Sequence, residues 1–144
     1  MEMSSRMQYA LLALMELATH ASAKNPLKIS EITAKQPIPE RYLEQIFTSL
    51  RREGIVQSQR GAKGGYVLAR EPRQITILEI LMILEGEQAR EPESSQTATI
   101  EKDLVYEAWQ QATQSAQEVL SRYTLQDLCQ RRDLLGQTDP MYYI

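Results

Sequence analysis

The spacing of apolar positions along the chain predicts a mainly helical protein with one short hairpin. A first helix is expected from Ser4 to Ala23 because its apolar residues recur at intervals of three and four. This stripe comprises Met7, Ala10, Leu11, Leu14, Leu17, Ala18 and Ala21. Leu12 and Met15 fall outside it. A helix that is apolar on more than one side contacts more than one partner, either within its own domain or in a second copy of the chain.

Two shorter helices follow, separated by prolines. Ser30 can cap a helix that ends at Lys35 or Gln36. Pro37 and Pro39 then interrupt the chain, and Pro39 suits the first turn of the next helix. That helix has a core face formed by Leu43, Ile46, Phe47 and Leu50. Its opposite face carries Arg41, Gln45, Thr48 and Arg52.

A glycine-rich hairpin is expected directly after this helix, which Gly54 is placed to end. Two strand-like runs, Ile55–Gln59 and Tyr66–Ala69, flank the segment RGAKGG at 60–65. Glycine allows the positive φ angles that a hairpin tip needs. Helix, turn, helix and a basic hairpin form the pattern of a winged helix-turn-helix, whose second helix fits a DNA major groove.

The capping signals place a further helix before residue 86. Thr76 and Glu79 form a capping box, with Ile75 and Ile80 as a hydrophobic staple, and the helix is expected to end near Gly86. Residues 87–98 have no apolar periodicity, which predicts a flexible linker.

A long helix after Thr99 carries an apolar seam suited to packing along another helix. The seam consists of Val105, Trp109, Ala112, Ala116, Val119 and Tyr123. Few elements remain to cover it, so we expect the same helix of a second copy to do so. Thr124 and Asp127 cap a last helix, Leu125–Leu135.

The predicted fold is therefore mainly α with a small β wing, in four parts. Residues 1–86 form a winged helix-turn-helix DNA-binding domain, and 87–98 form the linker. Residues 99–135 contain the dimerisation helix and the short last helix, and 136–144 form a C-terminal tail.

Charge is distributed unevenly along the 144 residues. The net charge of −3 argues superficially against nucleic acid. However, residues 41–73 carry seven basic and three acidic residues, whereas 74–144 carry five basic and twelve acidic residues. Phosphate binding depends on this local charge, and the basic segment 41–73 coincides with the expected recognition helix and wing.

Several other classes of protein are disfavoured. A single cysteine excludes an intrachain disulfide, and neither an apolar run of transmembrane length nor a signal-peptide pattern is present, so a soluble cytoplasmic protein is expected. The chain has one histidine, no nucleophile–base motif and no phosphate loop, because RGAKGGY lacks the Walker spacing. We expect neither an enzyme nor a bound cofactor or metal.

The motifs resemble those of the Rrf-two (Rrf2) family of bacterial winged-helix regulators, which includes iron–sulfur cluster regulators. The similarity covers most of the chain in the right order. The matching residues are Arg6, Tyr9-Ala10-Leu11, Tyr42-Leu43-Glu44-Gln45, Leu50-Arg51, Gly54, Arg60-Gly61, Gly64-Gly65-Tyr66, Leu84-Glu85-Gly86, Trp109, Thr124-Leu125 and Asp127-Leu128.

The resemblance implies DNA contacts where residues match. Glu44 and Gln45 resemble the family's base-reading pair, in which a carboxylate accepts from cytosine and an amide pairs with adenine. Arg60 resembles its minor-groove arginine. The other candidates are expected to contact phosphates and so position the dimer on the DNA. Together the candidate DNA-binding residues are Arg41, Tyr42, Glu44, Gln45, Thr48, Arg51, Arg52, Arg60, Lys63 and Gly64.

One departure from the family pattern concerns the ligands of the iron–sulfur cluster. Members that bind a cluster have three cysteines before the tryptophan position, but this chain has none there. Asp103 and Tyr106 occupy ligand positions and are poor substitutes for thiolates. Cys129 is expected in the core of the last helix. An iron–sulfur cluster held by cysteines within one subunit is therefore excluded. The alternative is a redox or metal sensor that pairs Cys129 across a dimer, with His20 or carboxylates as further ligands.

The tail ends with the apolar and aromatic residues Met141, Tyr142, Tyr143 and Ile144, which are costly to leave in water. Two alternatives follow. The tail folds back on its own dimer, or it binds a partner. The tail is similar to that of the cysteine-free branch of the family, which represses cysteine-metabolism genes and whose partner is cysteine synthase. The active site of that enzyme recognises the carboxylate of an amino-acid substrate. Backbone amides of such a site can also bind the terminal carboxylate of a protein tail.

Overall fold

The computed structural model describes residues 2–21, 25–86 and 99–138, and within them it is mostly helical. The described residues form six α-helices and one two-stranded sheet. They are α1 (Ser5–Thr19), α2 (Ile29–Lys35), α3 (Glu40–Arg52), α4 (Ile77–Glu85), α5 (Ile100–Ser121) and α6 (Leu125–Thr138), with β1 (Val56–Gln59), β2 (Gly65–Leu68) and a 3-10 turn at Pro72–Gln74. The predicted mainly α class with a β wing is confirmed. In the described ranges no helix is long and apolar enough to cross a membrane.

The first helix ends four residues before the predicted Ala23. The Ser4 hydroxyl caps its start by accepting from the Met7 N–H at 3.1 Å. At its end, Thr19 Oγ1 donates to the Met15 carbonyl (2.8 Å) and the His20 ring lies 3.0 Å from the Glu16 carbonyl. The last backbone bonds tighten to i→i−3, with the His20 and Ala21 N–H groups donating to the Leu17 and Ala18 carbonyls at 3.2 Å, which closes the helix. Residues 22–24 lie outside the described residues.

The core lies where α1, α3 and α4 meet. All four predicted core residues of α3 are buried, with Phe47 and Leu50 completely inaccessible. Helix α1 contacts α3, α4, α6 and β2 of its own chain, which accounts for apolar residues on more than one of its sides. Burial of this apolar surface is the main source of stability.

The predicted cap at Ser30 is wrong, because the N-cap lies two residues earlier and α2 begins at Ile29. Lys28 is the N-cap residue, and its backbone N–H donates to the Glu31 carboxylate at 3.1 Å. This acidic side chain satisfies the end of the helix without a serine cap. Pro39 is likewise the N-cap of α3 rather than a residue of its first turn.

The wing is an antiparallel pair in which Val56 lies opposite Leu68 and Gln59 opposite Gly65. The first strand begins one residue after the predicted start, and the second is shifted one residue towards the N-terminus. Leu27 also pairs with the outer edge of β2. Its N–H donates to the Tyr66 carbonyl at 3.0 Å, and the Tyr66 N–H donates back at 2.7 Å.

Helix α4 has only half of its predicted capping box. The Thr76 hydroxyl accepts from the Glu79 N–H at 3.1 Å. The Glu79 carboxylate pairs with Arg70 instead of reaching back to Thr76, because a guanidinium from the wing lies within its reach. The staple residues Ile75 and Ile80 are both buried.

The last two helices are fastened to the start of α4. The Ile77 N–H donates to the Tyr123 carbonyl (2.9 Å), and the Leu125 N–H donates to the Ile75 carbonyl (3.0 Å). Thr124 and Asp127 cap α6 reciprocally as predicted, at 2.9 and 3.1 Å. The helix continues to Thr138, three residues past the predicted end. The linker 87–98 and the tail from 139 lie outside the described residues.

Candidate nucleic-acid interface

Helix α3 presents a polar face to solvent on the side opposite its buried residues. Arg41, Gln45, Thr48 and Arg52 are all exposed, as predicted. Two guanidinium groups, an amide and a hydroxyl therefore share one side of a 13-residue helix. A free helix face of this kind fits the width of a major groove.

The predicted residues of α3 differ in the contacts that their side chains make within the chain. Glu44 is exposed. The ring of Tyr42 contacts that of Tyr9 edge to face, with centroids 5.6 Å apart and an interplanar angle of 85°. Thr48 Oγ1 donates to the Glu44 carbonyl at 2.9 Å. Since a hydroxyl has one proton, Thr48 must release this bond before it can donate to a phosphate.

The tip of the wing carries the exposed side chains of Arg60 and Lys63. Gly64 differs from them because it is buried, and its N–H donates to the Gly61 carbonyl at 2.9 Å. A Cβ at Gly64 would lie 2.2 Å from the Gln59 carbonyl oxygen. Gly64 therefore shapes the tip, and its N–H is already engaged with the Gly61 carbonyl.

The cations of this surface are electrostatically available. The ion pairs of the described residues lie elsewhere: Lys35–Glu16, Arg70–Glu79, Arg73–Glu71 and Arg132–Asp133. None of them involves Arg41, Arg51, Arg52, Arg60 or Lys63, all of which are exposed. Exposed cations that are not engaged in ion pairs form a surface that attracts phosphates.

Three residues that support this surface were missed as site residues. Arg6 of α1 donates to Ser49 Oγ on α3 at 3.2 Å, and Tyr9 contacts Tyr42 as described. Arg70 donates to the Gln74 carbonyl at 2.6 Å in addition to its pair with Glu79. Arg6 and Tyr9 do belong to the family motif, but nothing in the local sequence indicates which side chain each one meets.

The predicted seam of α5 lies uncovered on the described chain. Val105 is 72% exposed and Trp109 is 70% exposed, and Val119 and Tyr123 are about half exposed. Ala112 is exposed and Ala116 is half-buried. None of the residues of α5 is buried.

Cys129 is half-buried between α6 and α1, with its Sγ 3.9 Å from the Met15 carbonyl oxygen. Burial raises the pKa of its thiol, and the nearby Arg132 guanidinium opposes that rise only in part. Asp103 and Tyr106 are exposed on α5. Within residues 2–21, 25–86 and 99–138, no three His, Cys, Asp or Glu side chains are grouped to hold a metal ion.

Comparison with known proteins gives one consistent result. The Rrf2 family model, described as an iron-dependent transcriptional regulator, matches residues 3–131. The HTH-type transcriptional regulator CymR of Bacillus subtilis is 36% identical over 146 residues, covering 100% of both chains.

Two solved structures have the same fold. The T. potens IscR structure superposes with a TM-score of 0.74 at 33% identity, covering 99% of this chain and 97% of the other. The structure of CymR, the global cysteine regulator of B. subtilis, also gives 0.74 at 33% identity, covering 91% and 98%. These relatives are regulators and not enzymes. The winged helix-turn-helix, the family match and the relatives together show that this chain belongs to the Rrf2 family of DNA-binding transcriptional regulators.

Proposed function

We propose that the protein is a cytoplasmic homodimeric repressor that binds a pseudo-palindromic operator through α3 and the wing. The observation that carries this proposal is the surface described above, where the polar face of α3 and the wing tip offer exposed cations without internal partners. In such proteins the recognition helix enters the major groove, and a two-fold dimer places two copies about one helical turn apart.

The contacts within each half-site divide by chemistry. Glu44 and Gln45 read base edges, since a carboxylate accepts from cytosine and a carboxamide pairs with adenine. Arg60 enters the minor groove at the wing tip. Tyr42, Arg51, Arg52 and Lys63 contact phosphates, which sets register and accounts for most of the salt dependence.

The apolar seam of α5 supports the dimer. Side chains such as Val105 and Trp109 are more than two-thirds exposed, and an exposed apolar stripe of this length marks an interaction surface. A two-fold axis lets the same stripe cover itself. The alanines at 112 and 116 allow the two helix backbones to approach closely.

The same proposal assigns the protein to genes of cysteine or sulfur metabolism. Its support is the likeness to CymR over the whole chain, together with a tail that ends in two tyrosines and an isoleucine. Cysteine synthase binds the tail in this account, and its binding changes the affinity of the dimer for DNA.

The coupling is tested by operator binding with and without cysteine synthase. Labelled operator is titrated with the intact chain, with a chain that lacks Ile144, and with the control D139N, which keeps the terminal residue. We expect the enzyme to shift the affinity of the intact chain and of D139N but not that of the truncated chain. An equal response from all three contradicts the tail assignment, while operator binding itself tests the DNA surface separately.

A further inference from the structure

A groove of about 340 Å³ lies between the end of α1 and the outer edge of β2. Its walls are partly apolar and partly polar, and they include Leu17, His20, Asn25, Leu68, Arg70 and Pro72. The volume falls at the lower end of the range for pockets that hold ligands. None of the DNA-binding candidates lines this groove.

The floor of the groove is an open β edge. In an antiparallel ladder, alternate residues direct their N–H and C=O groups to opposite sides. The Ala69 N–H donates to the Ile55 carbonyl, whereas Tyr66 bonds with Leu27 on the other side. Leu68 therefore directs its N–H and C=O to the same side as Tyr66, into the groove. Within the described part of the chain, neither group has a hydrogen-bond partner.

An unpaired edge inside a groove favours an extended peptide over a compact ligand. A peptide strand satisfies both groups of Leu68 and places alternate side chains against the apolar walls. Leaving a half-buried N–H and C=O unpaired is costly. The groove therefore has the features of a site for strand addition.

The C-terminal tail is long enough to span the distance from the end of α6 to the groove. Helix α6 runs parallel to α1, since Cys129 lies beside Met15 and Arg132 Nη1 donates to Thr19 Oγ1 at 2.9 Å. The start of α6 lies next to the 3-10 turn whose first residue, Pro72, lines the groove, since the Leu125 N–H donates to the Ile75 carbonyl. From Arg132 to Thr138 the helix advances about 9 Å, past the end of α1. Six extended residues after it span about 20 Å.

The composition of the tail suits an added strand. Pro140 favours extended backbone at Asp139. The four residues after it are two tyrosines, a methionine and a β-branched isoleucine, and tyrosine and isoleucine are enriched in strands.

We propose that residues 139–144 bind in the groove of their own chain as a strand added to β2 at Leu68. The docked tail then lies beside Arg70, which fastens the base of the wing to α4. A docked tail is also withheld from other proteins. That the docked tail is withheld from a partner rests on the proposed binding of cysteine synthase, whereas docking of the tail in the groove does not.

Amide hydrogen exchange followed residue by residue by NMR tests the docking. The full chain is compared with the double variant Y142S/Y143S, which leaves every described residue unchanged. We expect the Leu68 amide to exchange at least tenfold faster in the variant. The Tyr66 amide, bonded to Leu27 in both proteins, serves as the control and should not change. Equal exchange at Leu68 in the two proteins overturns the proposal. Operator affinity measured on the same samples reports on the DNA surface independently.

A disulfide trap tests whether the tail belongs to the same chain. In a C129S background, A21C lines the groove and Y143C lies in the tail. Mild oxidation should give a cross-linked monomer on a non-reducing gel. The control pair Q8C and Y143C, near the opposite end of α1, should give none. A cross-linked dimer, or no cross-link from the groove pair, contradicts docking within one chain.

Discussion

Arg60 stands exposed at the start of the wing tip, where its guanidinium has no carboxylate partner among the described residues. Arg73 lies thirteen positions further on and is paired with Glu71. We expect R60A to weaken specific operator binding by about 1–3 kcal/mol, because a minor-groove arginine responds to groove width and potential. R73A removes the same charge and should have little effect. Fluorescence anisotropy at fixed salt measures the operator affinity of both variants. Equal affinities would remove Arg60 from the site.

Cys129 illustrates how packing decides the chemistry of a side chain. Burial raises the pKa of its thiol, so at any mildly alkaline pH less thiolate is present than on a free thiol. We expect alkylation to be slower than that of the unfolded chain and to keep accelerating with pH beyond the point where a free thiol levels off. Stopped-flow alkylation across a pH series checks this. A rate equal to that of the unfolded chain would restore Cys129 as a candidate sensor.

At the scale of elements, the wing depends on one close backbone approach. Gly65 has φ +148°, and a Cβ there would lie 2.4 Å from the Leu27 carbonyl oxygen. Gly61 also has a positive φ, of +110°, but a Cβ there meets nothing within 4 Å. We expect G65A to lower the free energy of unfolding by about 1–3 kcal/mol more than G61A, because only G65A adds a clash to the backbone strain. Denaturant unfolding compares them, and equal losses would contradict the pairing of Leu27 with β2.

The elements that could be predicted from sequence are those whose signals are local. The core face of α3 follows from four apolar residues at helical spacing, and the cap of α6 from Thr124 and Asp127. The missed features are those that depend on distant residues. Glu79 pairs with Arg70 rather than with its own helix cap, and Leu27 pairs with β2 across nearly forty positions. Neither contact leaves a periodic pattern along the chain.

At the scale of the whole molecule, the seam of α5 determines the assembly. We expect V105E to separate the proposed dimer, because it would bury two like charges on the two-fold axis. Gln114 lies nine residues away, on the opposite side of the helix at about 100° per residue. The control Q114E adds the same charge and should remain dimeric. Sedimentation velocity distinguishes the two, and a dimer that survives V105E would place the interface elsewhere.

The position of the DNA-binding surface could be predicted from the sequence, but the contacts that hold the helices together could not. The basic segment between 41 and 73 indicates the DNA-binding surface despite the negative total charge. The fastening of α5 and α6 to the start of α4 could not be predicted, because it rests on two backbone hydrogen bonds between distant segments. Sequence spacing carries no signal for such bonds.

Selection of genomic DNA by the purified protein tests directly whether α3 is the recognition helix of a dimer. Fragments are bound to the intact chain and, in parallel, to Q45A, and the retained DNA is sequenced. We expect the intact chain to enrich sites with two inverted half-sites about one helical turn apart. We also expect Q45A to relax the preference at one base of each half-site. Retention of random fragments by the intact chain, or the same preference in Q45A, would contradict the assignment of α3 as the recognition helix.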